Sequence, residues 1–188
     1  MQVDYSRASR QELIAIIEMQ DRWRLANEFD PITGVMNREG ILDRRLRAEM
    51  SRVGREGRPL GVCLVDVDGY LDVAGRSGQR CGEAVLAEVA SRIRSVLRDY
   101  DAVGRIGLDG FLVLAPGAGS DDLRILSGRI RRAVAREPVR YDGDRIPVTV
   151  SVGEVAYGGG SSPEKLLSAL QAALTRDRNG SGTGGGES

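Results

Sequence analysis

The sequence has no histidine and only two cysteines among its 188 residues. Without imidazole the chain can form neither a histidine-dependent catalytic triad nor most catalytic zinc sites, so carboxylates must carry any chemistry. Cys63 lies in an apolar, strand-like run, and Cys81 lies in a polar stretch that resembles a turn. Their spacing fits neither a metal site nor a disulfide scaffold, so both are expected to be free, structural thiols.

The chain also lacks a net charge and a long hydrophobic run. Its 27 Lys and Arg balance 27 Asp and Glu, so no overall field draws it to nucleic acid or to an anionic membrane. It has no run of about 18 apolar residues and no signal-peptide pattern, which argues against membrane insertion and secretion and indicates a cytoplasmic protein. A chain with 41% hydrophobic residues suits one domain with a real core and short appendages.

Residues 1–29 are expected to form a helix that precedes the globular domain. Residues 9–12 have the form of a capping box. An apolar face outside the domain favours a stalk that pairs with a second copy, or a helix that docks on a partner protein; packing on its own domain is the alternative. The apolar residues at helical spacing are Leu13, Ile16, Ile17, Met19, Trp23 and Ala26.

Residues 30–178 are predicted to form one α+β domain. Pro31 ends the first helix, and the following apolar patterns alternate between helical and strand spacing. Their order predicts a ferredoxin-like, nucleotide-cyclase-type antiparallel sheet flanked by helices. The stretch from Asp68 to Gly82 is expected to be a loop. Residues 179–188 are almost entirely Gly, Ser and Thr and are expected to be disordered. The predicted strands are residues 61–67, 102–106, 111–115 and 146–152.

Four short motifs stand in order along this domain. Residues 30–38 read Asp-Pro-Ile-Thr-Gly-Val-Met-Asn-Arg, and residues 66–68 read Asp-Val-Asp. Residues 107–111 read Gly-Leu-Asp-Gly-Phe, and residues 149–153 read Thr-Val-Ser-Val-Gly. Together they resemble the GGDEF family of diguanylate cyclases over about residues 30–180, with an altered copy of the signature that names the family.

The resemblance implies a magnesium-dependent activity. In the family, two GTP molecules meet at a two-fold interface, and each 3′-hydroxyl attacks the α-phosphate of the other to form cyclic di-GMP. The positions that hold Mg²⁺ correspond to Asp66 and Asp109, since hard divalent ions take oxygen ligands beside phosphates. Ordinary solvated or turn residues are the alternative interpretation of these two acids.

The altered signature predicts damaged chemistry. Gly107, Asp109 and Phe111 match the family, whereas Leu108 replaces a glycine and Gly110 replaces an acid. Leu108 is expected to crowd the phosphate in a hairpin where a positive φ is needed. Losing the acid at Gly110 removes a positioned catalytic group, so no useful cyclase activity is expected.

The contacts to GTP are changed as well. The family's guanine-reading Asn and Asp correspond to Ala74 and Glu83. A further family Lys corresponds to Leu71, and a phosphate-binding Lys in the final helix corresponds to Arg178. Alanine offers no hydrogen bond to a base edge, and leucine removes a cation. Weak affinity for GTP follows, and Mg²⁺ is expected only where GTP binds.

A second site of the family is better preserved. Residues 98–101 read Arg-Asp-Tyr-Asp, and active cyclases often carry Arg-x-x-Asp at this distance before the signature as an inhibitory site for the dinucleotide product. The resemblance implies that Arg98, Asp101 and Arg129 bind cyclic di-GMP, because guanidinium groups fork onto phosphates and stack on guanine. A surface salt bridge is the alternative for so short a motif.

Three functions remain open from the sequence. The favoured one is a degenerate, inactive GGDEF domain that serves as a cyclic di-GMP receptor or signalling module through Arg98 and Asp101. The second is a residual cyclase that works through Asp66 and Asp109. The third is a scaffold that binds no nucleotide and dimerises, or docks a partner, through its N-terminal helix.

Overall fold

The computed structural model of the protein describes residues 9–11, 14 and 28–181. Arg10, Gln11 and Ile14 are helical. The remainder of the predicted N-terminal helix and residues 182–188 lie outside the described residues, so the stalk and the disordered tail remain predictions.

The centre of the domain is a four-stranded sheet in the order β2-β3-β1-β6, in which each neighbouring pair is antiparallel. This order confirms the ferredoxin-like prediction. Strand β1 occupies a central position because its residues are almost all buried, as its near-continuous apolar run predicts. The four strands are β1 (Leu60–Val67), β2 (Ala102–Arg105), β3 (Gly110–Pro116) and β6 (Val150–Tyr157).

Helices cover both faces of this sheet, and each face has its own hydrophobic core. On one face, Cys63 and Val65 of β1 pack with residues of α4 and α5. On the other, Val62 and Leu64 pack with residues of α1, α2 and α6. The two faces alternate along β1, as the period of a strand requires. The helices are α1 (Glu39–Leu46, wound as a π-helix), α2 (Arg47–Glu56), α3 (Tyr70–Ser77), α4 (Gln79–Ser95), α5 (Ser120–Ala135) and α6 (Pro163–Ser181).

Helix α6 lies directly against β6. A Cβ atom added at Gly153 would lie 2.4 Å from the backbone nitrogen of Leu174, so only glycine permits this approach. Leu166, Leu170 and Leu174 are buried against the sheet. The helix continues to Ser181, beyond the predicted boundary at residue 178, and its last turns lie at the end of β1.

The predicted strand over residues 146–152 is wrong in its bounds. Residues before Pro147 belong to a separate hairpin of β4 (Val139–Tyr141) and β5 (Asp144–Ile146), and β6 begins only at Val150. The tip of the hairpin has positive φ at Asp142 (48°) and Gly143 (88°), which is typical of an Asp-Gly turn.

The predicted loop after β1 is also wrong. It contains helix α3 and the first turn of α4, and Cys81 lies buried within α4 rather than in a turn. Both cysteines are free and buried, which confirms the prediction of free thiols. Burial raises the pKa of the Cys63 thiol, and the nearby Glu154 carboxylate adds to that rise. Among the helices of the described residues, none is long and apolar enough to cross a membrane.

Candidate functional site

The end of β1 brings together the acids that the signature motifs predict. We call Asp66, Val67, Asp109 and Gly110 the β1 edge. Asp66 is the register partner of Gly110 on β3, and the backbone amide of Val67 donates to the carbonyl oxygen of Asp109 at 3.1 Å. The two candidate metal ligands are therefore close together: Asp66 lies on β1, and Asp109 immediately precedes the adjoining strand β3.

Asp66 has a partner within the chain. Its Oδ2 forms an ion pair with the guanidinium of Arg178 near the end of α6, and its side chain is only 13% exposed. The resemblance described above predicts that Arg178 stands where the family has a phosphate-binding cation. In this structure the Arg178 guanidinium instead pairs with Asp66, the carboxylate predicted to hold the metal.

Asp68 takes a structural role. Its carboxylate accepts hydrogen bonds from the hydroxyls of Thr149 (2.6 Å) and Ser151 (2.7 Å) on the neighbouring segment. Its backbone amide donates to the carbonyl oxygen of Thr149 at 3.0 Å. The Asp-Val-Asp and Thr-Val-Ser-Val-Gly motifs thus bind each other, and both oxygens of Asp68 are used in fixing β1 to β6.

The chemistry of the β1 edge fits a magnesium ion. Mg²⁺ is commonly held by one or two carboxylates together with substrate phosphates, and Asp66 and Asp109 supply that number. No cluster of three metal-ligating side chains is found in residues 9–11, 14 and 28–181. A bound Mg²⁺ supplies charge stabilisation to phosphate oxygens. Arg178 already neutralises Asp66, so the guanidinium competes with a cation for this carboxylate.

Two arginines hold the signature hairpin from outside the signature. Arg105 donates from Nε to the carbonyl oxygen of Gly107 (3.1 Å) and from Nη2 to that of Leu108 (2.8 Å). Arg38, the last residue of the 30–38 motif, donates from Nη1 to the carbonyl oxygen of Ile106 at 2.6 Å. Three successive carbonyl groups of the turn therefore have guanidinium partners, which fixes the loop conformation.

The expected backbone strain at Leu108 is wrong. Among the described residues, the one non-glycine position with positive φ is Asp142, so Leu108 adopts ordinary backbone geometry. Its side chain is 56% exposed and projects from the tip of the hairpin. Leucine is therefore tolerated at residue 108 without backbone strain. Its effect is to place an apolar side chain on the surface of the loop.

Gly110 leaves space beside Asp66. A Cβ atom at this position would lie 3.4 Å from Oδ1 of Asp66. An acid at residue 110 would therefore be attached directly beside Asp66, the candidate metal ligand.

The changed guanine contacts lie on α3 and α4. Leu71 is 67% exposed, whereas Ala74 packs against the core. A Cβ added at Gly82 would lie 3.1 Å from that of Ala74, so the two helices touch at this point. Glu83 accepts a hydrogen bond from the amide of Gln79 at 2.8 Å. The side-chain amide that reads guanine in the family has no substitute at Ala74.

Tyr70 shows that these elements converge. Its side chain is buried, and burial raises the pKa of its hydroxyl. The positive charge of Arg105 opposes this rise, while the carboxylates of Glu83 and Asp109 add to it. The pKa of this hydroxyl therefore depends on charged groups of α4, the hairpin and β2 together.

Asp30 connects the first motif to the hairpin. Its carboxylate accepts hydrogen bonds from the amide (2.9 Å) and hydroxyl (2.7 Å) of Thr33 and pairs with Arg105 at 3.3 Å. Burial acts to raise the pKa of Asp30, but the hydrogen bonds from Thr33 and the charge of Arg105 outweigh it and lower the pKa below 3.8.

The Arg-Asp-Tyr-Asp motif forms a tight turn after α4. We call residues 96–101 the Arg98 turn. The carboxylate of Asp101 accepts from the amide of Arg98 (2.9 Å), and the amide of Asp101 donates to the carbonyl oxygen of Arg98 (3.0 Å). The Arg98 guanidinium donates to the hydroxyl of Tyr100 at 3.0 Å and lies 5.9 Å from its ring centroid. The hydrogen bond to the Tyr100 hydroxyl and the electrostatic interaction with that residue raise the pKa of Arg98.

The structure places Arg98, Asp101 and Arg129 around one cavity. Arg129 lies on α5, and its Nη2 donates to the carbonyl oxygen of Val96 at 2.8 Å, which attaches it to the Arg98 turn. The cavity has a volume of about 90 Å³, and Ile125 and Asp122 also line it. The three predicted ligand-binding residues, from two separate segments, are neighbours.

One atom of this site lacks a partner. Oδ1 of Asp101 is shielded from solvent and accepts no hydrogen bond from any part of the chain that the structure describes. A buried acceptor without a donor costs about 1–3 kcal/mol. Such an atom is suited to receive a hydrogen bond from a ligand.

Arg131, close to Arg129 in the sequence, serves another purpose. Its Nη2 donates to the carbonyl oxygen of Val152 at 3.2 Å and pairs with Asp177 at 2.8 Å. Asp177 also accepts from the amide of Val152 at 2.9 Å. The contacts of Arg131 and Asp177 with Val152 cover the outer edge of β6 and fix the C-terminal part of α6. Two residues of α6, Asp177 and Arg178, therefore contact the sheet.

Sequence reasoning missed several residues of the two sites. The sequence did not predict that Arg38 and Arg105 donate hydrogen bonds to carbonyl groups of the hairpin. Arg38 ends one recognised motif, and Arg105 shortly precedes another. Tyr100 was not assigned a contact with Arg98. No sequence signal predicts that Arg178 turns toward Asp66, since that contact depends on how closely α6 packs on β6.

The sheet order and the acid-bearing hairpin beside β1 define a nucleotide-cyclase-type domain. The sequence model of the family described as "Diguanylate cyclase, GGDEF domain" matches residues 27–182, and the chain belongs to this family. The resemblance of the four motifs is thereby confirmed.

Relatives and solved structures agree with this assignment. The chain is 33% identical over 147 residues to a protein named diguanylate cyclase DgcP from Pseudomonas aeruginosa, covering 78% of this chain and 22% of that protein. A crystal structure of diguanylate cyclase SiaD with its activator SiaC, from the same species, superposes with a TM-score of 0.78 and 30% identity, covering 90% of this chain and 69% of that one.

A further structure supports the fold alone. The coiled coil and GGDEF domain of DgcB from Caulobacter crescentus, in complex with c-di-GMP, has a TM-score of 0.80 at 21% identity and covers 90% of each chain. The chain spans 22% of the length of DgcP and 34% of the length of diguanylate cyclase DosC from Escherichia coli.

Proposed function

We propose that this GGDEF domain is a receptor for cyclic di-GMP and that its cyclase site is catalytically inactive. The observation that carries the proposal is the convergence of Arg98, Asp101 and Arg129 on one cavity. Two guanidinium groups supply fork-shaped donors for phosphate and planar faces for guanine. The unpaired Oδ1 of Asp101 supplies an acceptor for the N–H groups on the edge of a guanine base.

The state of the β1 edge supports the absence of turnover. Arg178 pairs with Asp66, and Gly110 provides no carboxylate beside it. Ala74 provides no amide for guanine, and Leu108 and Leu71 present exposed apolar groups where the family has a glycine and a cation. Each loss weakens binding or transition-state stabilisation, and together they predict a loss of several orders of magnitude in rate.

A residual cyclase is the second candidate, and one observation favours it. Asp66 on β1 and Asp109 just before β3 are both retained and lie close together, so the pair can hold Mg²⁺ if Arg178 moves aside. In this alternative the N-terminal helix brings two domains together. A nucleotide-independent scaffold that dimerises or docks a partner through that helix is the third reading, and it predicts no nucleotide binding at all.

Two measurements separate these functions. Incubation of the protein with GTP and Mg²⁺, followed by chromatography of the nucleotides, is expected to yield no dinucleotide; efficient formation of cyclic di-GMP would establish the cyclase. Calorimetric titration with cyclic di-GMP is expected to show saturable binding, whereas the scaffold predicts none.

The Arg98→Ala variant tests the assigned site. Its affinity for cyclic di-GMP is expected to fall about a hundredfold, because the substitution removes several charge-assisted hydrogen bonds to the ligand. Arg124→Ala is the matched control, since Arg124 lies on α5, is mostly exposed and pairs with Asp121 outside the cavity. Unchanged affinity in Arg98→Ala would contradict the assignment.

A further inference from the structure

A larger cavity also adjoins the Arg98 turn. It has a volume of about 500 Å³, and we call it the Phe29 cavity after one of its lining residues. Arg98 and Asp101 line this cavity as well as the smaller one next to Arg129. They are therefore a wall shared by both spaces. The other lining residues used below are Phe29, Arg45 and Arg94.

The two cavities differ in what they can hold. Sites for small molecules and cofactors usually have volumes of about 300–1,000 Å³. The space beside Arg129, at about 90 Å³, is below that range. The Phe29 cavity lies within it. A further cavity of about 530 Å³ is also lined by Arg98 and Arg45, but Asp101 does not line it. The Phe29 cavity therefore offers the room for a dinucleotide that contacts both Arg98 and Asp101.

Two polar atoms on the lining residues of this cavity lack partners. The Nε donor of Arg45 and the Oδ1 acceptor of Asp101 are both shielded from solvent and form no hydrogen bond within the described chain. Each costs free energy while it is unpaired. The other end of the Arg45 guanidinium is fixed, because its Nη2 donates to the carbonyl oxygen of Tyr100 (3.2 Å) and pairs with Glu49 (3.2 Å). A donor and an acceptor at fixed positions match the edge of a nucleobase, which carries both.

The rim of the cavity adds the remaining chemistry. Phe29 is 54% exposed, and aromatic side chains of this kind stack on bases. Arg94 and Arg98 place positive charge near the opening. An apolar ring with several guanidinium groups suits a ligand that has a planar base and a phosphate group.

The wall that carries Phe29 is held in place before any ligand binds. Phe29 pairs with Met36, and the amide of Met36 donates to the carbonyl oxygen of Val103 on β2 at 3.2 Å. The amide of Arg105 in turn donates to the carbonyl oxygen of Met36 at 2.7 Å. A wall attached to the sheet lowers the entropy cost of binding.

We propose that the Phe29 cavity receives a guanine base of the dinucleotide, with Arg45 donating to that base and Phe29 stacking on it. This inference rests on the proposed receptor function and assigns two ligand-binding residues beyond Arg98, Asp101 and Arg129. Arg45 belongs to α1, so the ligand connects the N-terminal part of the domain to the Arg98 turn.

The test is calorimetric titration of cyclic di-GMP into Arg45→Lys and Phe29→Ala variants of the full chain. Arg45→Lys keeps a positive charge beside Glu49 but removes the Nε donor and the planar fork. Both variants are expected to bind about tenfold more weakly than the wild type. Phe29→Ala removes an exposed side chain, so it reports on binding even if Arg45→Lys unfolds.

Two neighbouring positions provide matched controls. Arg44 pairs with Glu28 and Glu39 and does not line the cavity, and Ile32 is a partly exposed apolar residue outside it. Arg44→Lys and Ile32→Ala are expected to bind like the wild type. Wild-type affinity in both Arg45→Lys and Phe29→Ala, together with lost binding in Arg98→Ala, would overturn this inference alone. No binding by the wild type would overturn the proposed function with it.

Discussion

The β1 edge and the Arg98 turn both contain carboxylates and guanidinium groups, but they differ in whether those groups have partners within the chain. At the β1 edge, Arg178 pairs with Asp66, and next to this edge two hydroxyls donate to the carboxylate of Asp68. At the Arg98 turn, by contrast, one buried carboxylate oxygen of Asp101 has no hydrogen-bond partner. The buried Nε of the adjoining Arg45 also has no partner.

This difference indicates which region is ready for a ligand. A polar group that is satisfied by its own chain stabilises the fold, whereas a buried unpaired group gains free energy when a ligand supplies the missing hydrogen bond. At the β1 edge, the Asp66 carboxylate is paired with Arg178, in agreement with the proposed absence of turnover. The Arg98 turn retains unsatisfied groups, in agreement with the proposed receptor function.

The largest effect on this contrast is expected from Arg178→Ala, which opens the β1 edge. Removing the guanidinium leaves Asp66 free for a cation, so the affinity for Mn²⁺, a spectroscopic substitute for Mg²⁺, should rise about tenfold. Electron paramagnetic resonance of free Mn²⁺ measures this affinity directly, without reference to turnover.

Two further variants show whether the gain comes from Asp66. Arg176→Ala removes a nearby exposed arginine of α6 and should leave the Mn²⁺ affinity unchanged. Asp66→Asn combined with Arg178→Ala should abolish the gain. If Arg178→Ala and Arg176→Ala raise the affinity equally, the effect is one of general charge, and the specific competition at Asp66 is absent.

A smaller effect is expected at Asp30, which connects the 30–38 motif to Arg105. Its pKa is lower in the folded state than the ordinary value of 3.8, so its contribution to stability is present above that value and is lost as the pH falls through the folded pKa. Asp30→Asn should lower the free energy of unfolding by about 1 kcal/mol at pH 7. Urea unfolding at pH 7 and at a series of pH values below 3.8 measures the difference, which should shrink steadily as Asp30 is protonated in the folded state. A difference that is the same at all pH values would show that the charge is not responsible.

The smallest effect is expected at the tip of the hairpin. Because Leu108 has ordinary φ and an exposed side chain, Leu108→Gly should relieve no strain and should destabilise the fold by about 0.5 kcal/mol through chain entropy. Thermal unfolding of the two proteins checks the sign. A clear stabilisation by glycine would mean that leucine strains the turn after all.

The sheet could be predicted from sequence because its apolar runs are long and separated by clear breaks. Strand β1 and the hairpin of β2 and β3 illustrate this. The failure over residues 146–152 has a physical cause: Pro147 lies inside an alternating pattern that continues on both sides of it, so periodicity alone does not reveal the break. The Asp-Gly pair at residues 142–143 was the available signal for the missed hairpin.

The candidate sites could be predicted only in part. The family motifs single out Asp66, Asp109, Arg98 and Asp101, and the structure brings the first two together and Arg129 to the last two. Motifs carry no information on which groups pair with each other across the fold. The contact of Arg178 with Asp66 and the shielding of Arg45 Nε arise from helix packing against the sheet, which the sequence pattern does not determine in detail.

The position of the ligand in a crystal of the wild-type protein grown with cyclic di-GMP tests the central claim most directly. The account predicts density for a guanine dinucleotide against Arg98, with a ligand N–H group donating to Oδ1 of Asp101, and Arg178 still paired with Asp66. A dinucleotide seated at the β1 edge between Asp66 and Asp109, with the Arg98 turn unchanged, would contradict it.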